Sequence, residues 1–101
     1  MKCFEIILHD DAIADMKNAL VYYGTIYSSL AEKFKESVEN TFTELKKNPF
    51  YQIRYDNVRM RIVKGFPYVI HFVVDEKANS VFVYGIRNSS QYPSSSWFYK
   101  E

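Results

Sequence analysis

Residues 58–74 read Val58-Arg59-Met60-Arg61-Ile62-Val63-Lys64-Gly65-Phe66-Pro67-Tyr68-Val69-Ile70-His71-Phe72-Val73-Val74. The first part alternates Val58, Met60 and Ile62 with Arg59 and Arg61, the pattern of a strand with one apolar and one cationic face. Gly65-Phe66-Pro67 is a turn signal. Residues 68–74 are mostly apolar, as expected of a central strand. Parity divides them into Tyr68, Ile70, Phe72 and Val74 against Val69, His71 and Val73. The first set is the more apolar and is expected to face whatever covers the sheet. If the same cover buries Val58, Met60 and Ile62, then Arg59, Arg61 and His71 share the opposite face.

Downstream, residues 75–80 (Asp-Glu-Lys-Ala-Asn-Ser) form a hairpin connection and residues 81–86 a further strand. Arg87 ends that strand with the parity of Val81, Val83 and Gly85. Residues 88–96 are polar. Trp97-Phe98-Tyr99 is expected to dock back on the body, because three adjacent rings are costly to leave in water.

Upstream, residues 3–8 (Cys-Phe-Glu-Ile-Ile-Leu) read as a short β run, halted by Asp10-Asp11, which offers an N-cap. From Ala12 a helical stripe begins: Met16, Leu20, Tyr23, Tyr27, Leu30, Phe34, Val38, Phe42 and Leu45 recur at three- and four-residue spacing. One helix of that length is unusual in so small a chain, and Gly24-Thr25 and Ser28-Ser29 are breaks. The spacing predicts helices over 11–27 and 29–47, paired as a hairpin and ended by Lys46-Lys47 and Pro49. The expected fold class is therefore α+β. An N-terminal strand is followed by a two-helix hairpin packed on one face of a curved antiparallel β-sheet, as one domain over residues 1–101.

The chain has 101 residues, of which 48% are apolar and 18% aromatic, enough for one packed core. Its net charge is only +1, but residues 1–50 hold six Lys against eight Asp and Glu, and residues 51–101 hold seven Lys and Arg against four. All four arginines, Arg54, Arg59, Arg61 and Arg87, lie in the second half. That asymmetry predicts one charged working face. Cys3 is the only cysteine, which rules out a disulfide within the chain and fits a reducing cytoplasm. The N-terminus carries no apolar signal core, and no apolar stretch is long enough to span a bilayer. One cysteine and two distant histidines make a zinc site improbable, His9-Asp10-Asp11 reads better as a helix cap than as a metal cluster, and Gly24, Gly65 and Gly85 form no phosphate loop. No metal and no small-molecule cofactor is expected.

Arg59, Arg61, His71 and Arg87 are thus candidates for a concave basic surface. It would suit an RNA phosphate or an acidic partner segment, against the alternative of a solvated strand face with unrelated charges. His71 is either a general acid or base or a packed, hydrogen-bonded ring. Tyr92, in the tail, is free to stack on a base.

The order of these features resembles the RelE/ParE superfamily of toxins. The resemblance rests on Asn48-Pro49, Val58-Arg59, Gly65-Phe66-Pro67-Tyr68, Ile70, Phe72, and Pro93 followed by Trp97. It implies the toxin of a type II toxin–antitoxin system, neutralised by a cognate antitoxin protein. It implies action either on the ribosome and mRNA, by metal-independent cleavage, or on DNA gyrase, with no membrane involved. In a nuclease of this kind, Arg59 and Arg61 match basic residues on the RNA-facing strand, Arg87 the basic residue ending the last strand, and Tyr92 the tail tyrosine. Val69, Asn88 and Gln91 stand where the family often has Arg or His. These departures leave open a catalytically degenerate member that acts only as a binding module.

Overall fold

The long apolar stripe divides at one extended residue. In the computed structural model, which describes residues 3–89, β1 (Glu5–Leu8) leads into α1 (Asp10–Ile26) and α2 (Ser28–Lys47), followed by β2 (Ile53–Tyr55), β3 (Val58–Ile62), β4 (Tyr68–Asp75) and β5 (Ser80–Asn88). The break is Tyr27, at φ −149° and ψ 139°. Its N–H closes α1 on Tyr23 O, and its carbonyl accepts the Leu30 N–H of α2. The N-cap of α1 is His9 rather than Asp10 or Asp11: the His9 Nδ1 accepts the Asp11 N–H at 3.1 Å, and the two carboxylates occupy the first turn, where they favour the helix dipole. Lys46 and Lys47 occupy the last turn of α2, and the buried Pro49 follows.

The sheet order is β1-β5-β4-β3-β2. The pairs β2–β3, β3–β4 and β4–β5 are antiparallel, as expected, but β1 lies parallel to β5, so the sheet is mixed. The reason is alternation: when every connection reverses the chain, the first and the seventh elements run the same way. The strand β2 lay outside the segments with clear strand patterning. A two-residue turn at Asp56-Asn57, with Asp56 at φ 49°, folds it onto β3.

The helices cover one face. Between helices and sheet, Ala12, Ala19, Tyr23, Phe34, Val38 and Leu45 meet Val63, Ile70, Phe72, Val81, Val83 and Ile86. Phe34 is fully buried, and its ring centroid lies 5.2 Å from Tyr23, 5.1 Å from Phe66 and 5.1 Å from Tyr68. This aromatic cluster ties both helices to the Phe66-Pro67-Tyr68 turn, which explains why that turn carries large rings. Phe34→Ala is expected to destabilise the fold by about 3–5 kcal/mol, read as a lowered urea midpoint. A loss below about 1 kcal/mol would contradict this packing.

Candidate functional site

Cross-strand register decides which side chains share a face, because directly paired residues point the same way. In the β3–β4 ladder, Arg59 pairs with Phe72, Met60 with His71, Arg61 with Ile70 and Ile62 with Val69. Phe72 and Ile70 belong to the helix-side core. Arg59 and Arg61 therefore lie on the helix side, and Val58, Met60 and Ile62 on the open face with His71. This reverses the expected assignment for the first strand while upholding it for Tyr68, Ile70, Phe72 and His71.

The two arginines are absorbed locally. Arg59 donates from Nη1 to Tyr51 O at 2.9 Å and sits over the Phe50 ring at 5.3 Å. Arg61 lies over the Tyr51 ring at 4.7 Å, with its Nε 3.6 Å from Glu44 Oε1 on α2. Their heads stack on Phe50 and Tyr51, in the segment linking α2 to β2. These contacts are structural in kind: they hold the α2–β2 connection to β3.

Arg87 is on the open face, but not by simple alternation. His71 pairs with Gly85 and Phe72 with Val83, so Tyr84 is an extra residue, a β-bulge. The bulge switches parity: Val81 and Val83 face the helices, whereas Gly85 and Arg87 join His71. A cavity of about 370 Å³ opens there, lined by Tyr55, Asn57, Val58, His71, Val73, Tyr84, Gly85 and Arg87. Of the expected cluster, His71 and Arg87 come together, and Arg59 and Arg61 do not. Tyr92 and the Trp97-Phe98-Tyr99 triplet lie outside the described residues.

His71 forms the floor, only 7% exposed. Burial, reinforced by the Arg87 guanidinium and partly offset by Asp15, pushes its pKa down to about 4. The ring is therefore neutral near neutral pH. The Tyr55 hydroxyl lies 3.3 Å from Nδ1, and the tautomer of the neutral ring decides which of the two donates. Arg87 is held from α1: Asp15 Oδ2 accepts its Nε at 3.0 Å and the Ile86 backbone N–H at 3.0 Å. Gly85 is what permits this arrangement, because a Cβ there would stand 2.9 Å from Arg87 Nε.

Tyr55, Tyr84 and the Asp15 link were not among the sequence candidates. Signals for two of them exist. Asp56-Asn57 is a hairpin-turn pair that sets Tyr55 beside Val58, and a glycine inside a strand pattern marks a bulge or a close approach. Among the described residues no group of His, Cys, Asp or Glu gathers as a metal site, and no helix is long and apolar enough to cross a membrane.

This architecture has known counterparts. The fold is similar to a chain of the chromosomal ParDE TA system from P. aeruginosa, with a TM-score of 0.73 and 14% identity, over 85% of this chain and 96% of that one. No curated protein sequence matches this chain. Residues 6–93 match the family described as the ParE toxin of type II toxin-antitoxin system, parDE, and the chain belongs to that family.

The neutral histidine has a measurable consequence. The unfolded chain binds the His71 proton near pH 6.5 and the native chain near pH 4, so the unfolded state holds more protons between these values. Stability is thus full above about pH 6.5 and falls as pH drops through that window, by about 3 kcal/mol. Imidazole resonances of His71 should show the neutral form down to about pH 5, and His71→Asn should flatten the stability loss in that window relative to the parent. A titration midpoint at or above about pH 6 would contradict the burial.

Proposed function

We propose that the chain is the growth-inhibiting toxin of a type II pair, acting in the cytoplasm on DNA gyrase by binding rather than on ribosome-bound mRNA by cleavage. Family membership supplies the toxin and its antitoxin partner. The observation that carries the choice of target is the separation of Arg59 and Arg61 from His71 by the thickness of the sheet. Metal-independent scission of a phosphodiester needs groups that move protons and groups that hold the developing charge, all at one phosphate. Among the described residues the cavity on the open face is lined by one cation, Arg87, already paired with Asp15. Its histidine is neutral and is therefore poorly suited to serve as an acid. Val69, Asn88 and Gln91, in place of the basic residues of nuclease members, point the same way.

The test is induction of the chain in cells, with transcript ends and the DNA-damage response followed together. The expected result is growth arrest with an early damage response and unchanged transcript ends, retained in Arg59→Ala and Arg61→Ala variants that still fold. Codon-phased cleavage of transcripts, lost in those variants, would establish the nuclease instead. Absence of arrest at full expression would establish a member that only binds its antitoxin.

A further inference from the structure

The cavity on the open face is built more elaborately than packing requires. Asp15 reaches from α1 to the end of β5 and is itself pinned, because the same Oδ2 that takes Arg87 Nε also takes the Ile86 N–H. Arg87 is therefore fixed in place although its side chain is 49% exposed. A side chain at position 85 would crowd both partners, standing 2.9 Å from Arg87 Nε and 3.2 Å from Asp15 Oδ2. With Nε engaged, the guanidinium still has its Nη1–Nη2 edge, which makes no hydrogen bond to any described residue. The result is a preorganised fork of donors at the border of a cavity, which loses little rotamer freedom on binding.

The lining indicates what the fork receives. Arg87 is the one charged side chain among the described lining residues, and Val58, Val73, Tyr55 and Tyr84 present apolar or aromatic surface. Asp15 engages only Nε, so the Nη edge of a single arginine suits one planar anionic group and not a polyanion. A nucleic-acid backbone draws its affinity from several cations along its path, and Arg59 and Arg61 lie behind the sheet. A carboxylate matches the planar fork in charge and geometry, and its aliphatic stem suits the walls. The neutral His71 beneath adds no repulsion and no second charge.

We propose that this cavity is an anchor site for a single side-chain carboxylate of the antitoxin, received by the Nη edge of Arg87 and bordered by Tyr55 and Tyr84. The inference rests on the toxin reading for its partner, since family membership gives an antitoxin as a partner of the chain, and on charge complementarity with Arg87 for its chemistry. The carboxylate takes the Nη edge that Asp15 does not use, and Asp15 keeps its place on Nε.

The experiment titrates acetyl-Leu-Glu-Leu-amide into the full chain while the Arg87 Nε–H and His71 ring resonances are followed. Saturable shifts are expected with this peptide and not with its glutamine counterpart. Arg87→Gln should abolish them. Val73→Phe fills the cavity without touching the Asp15–Arg87 pair and should abolish them as well, which covers a folding defect in the first variant. In the complex with the antitoxin from the adjacent reading frame, Arg87→Gln should raise the dissociation constant at least about tenfold. Equal shifts with the glutamine peptide, or stronger ones with inorganic phosphate or a uridine trinucleotide, would overturn the carboxylate assignment. An unweakened antitoxin complex in both variants, with growth arrest lost, would move the cavity to the toxic target and overturn the antitoxin assignment, while the toxin reading stood. Failure of the parent chain to arrest growth would remove the toxin reading without touching the peptide result.

Discussion

Met60 stands opposite His71 across the β3–β4 ladder, and that pairing fixes the side of the sheet on which every neighbouring residue lies. A slip of one residue would turn Arg59 and Arg61 onto the open face and push Met60 into the helices. Three features hold the register. The Gly65-Phe66-Pro67 turn closes the hairpin, with Gly65 at φ 84° and the Val63 N–H bonded to Tyr68 O at 2.9 Å. Phe66 and Tyr68 are locked against Phe34 and Tyr23. Tyr51 then takes both arginines, one through its carbonyl and the other through its ring. Each is weak alone; together they specify one register.

From that register two chemically different faces follow. The helix side is an apolar core with a cationic margin, where Arg59 and Arg61 serve the join between α2 and the sheet. The open side is smaller and more particular. Met60 and Val69 are buried there along with His71, so the sheet is apolar at its centre on both faces. The bulge at Tyr84 then brings Gly85 and Arg87 to the face that strict alternation would have denied them. Asp15 crosses from the helix layer to β5 at a point that β1, paired only along residues 80–83, leaves uncovered. The same carboxylate thus satisfies a backbone N–H of β5 and orients Arg87, the one cation among the described residues of the cavity.

The helices, their break near Tyr27, the final turn at Pro49 and the Phe66-Pro67-Tyr68 turn were all legible, because three- and four-residue spacing and turn chemistry are local signals. The face of the arginines was not. Alternation of Val58, Met60 and Ile62 with Arg59 and Arg61 is the same pattern whichever side the helices cover. The usual rule sends the apolar set toward the helices. The alternation of β4 settles its own faces but not the register in which β3 pairs with it, and the aromatic residues Phe50 and Tyr51 make a helix-side position tolerable for arginine. His71 was placed correctly because its neighbours Ile70 and Phe72 are the larger apolar pair. Arg87 reached the open face through a bulge that only Gly85 hinted at. The parallel placement of β1 depended on the count of chain reversals, and β2 was too short to show a period. Asp15 carried no signal of its own role, since an acidic residue in the second turn of an amphipathic helix is ordinary.

Through-space NMR tests the sidedness of β3 most directly. With Met60 methyl and aromatic ring labels in the full chain, a cross-peak is expected between the Met60 methyl and the His71 ring, and none between that methyl and the ring of Phe34. Directly paired side chains lie about 5 Å apart, well within range. A Met60–Phe34 cross-peak, with Arg61 side-chain protons close to His71 instead, would contradict the account and restore the arginine-lined face.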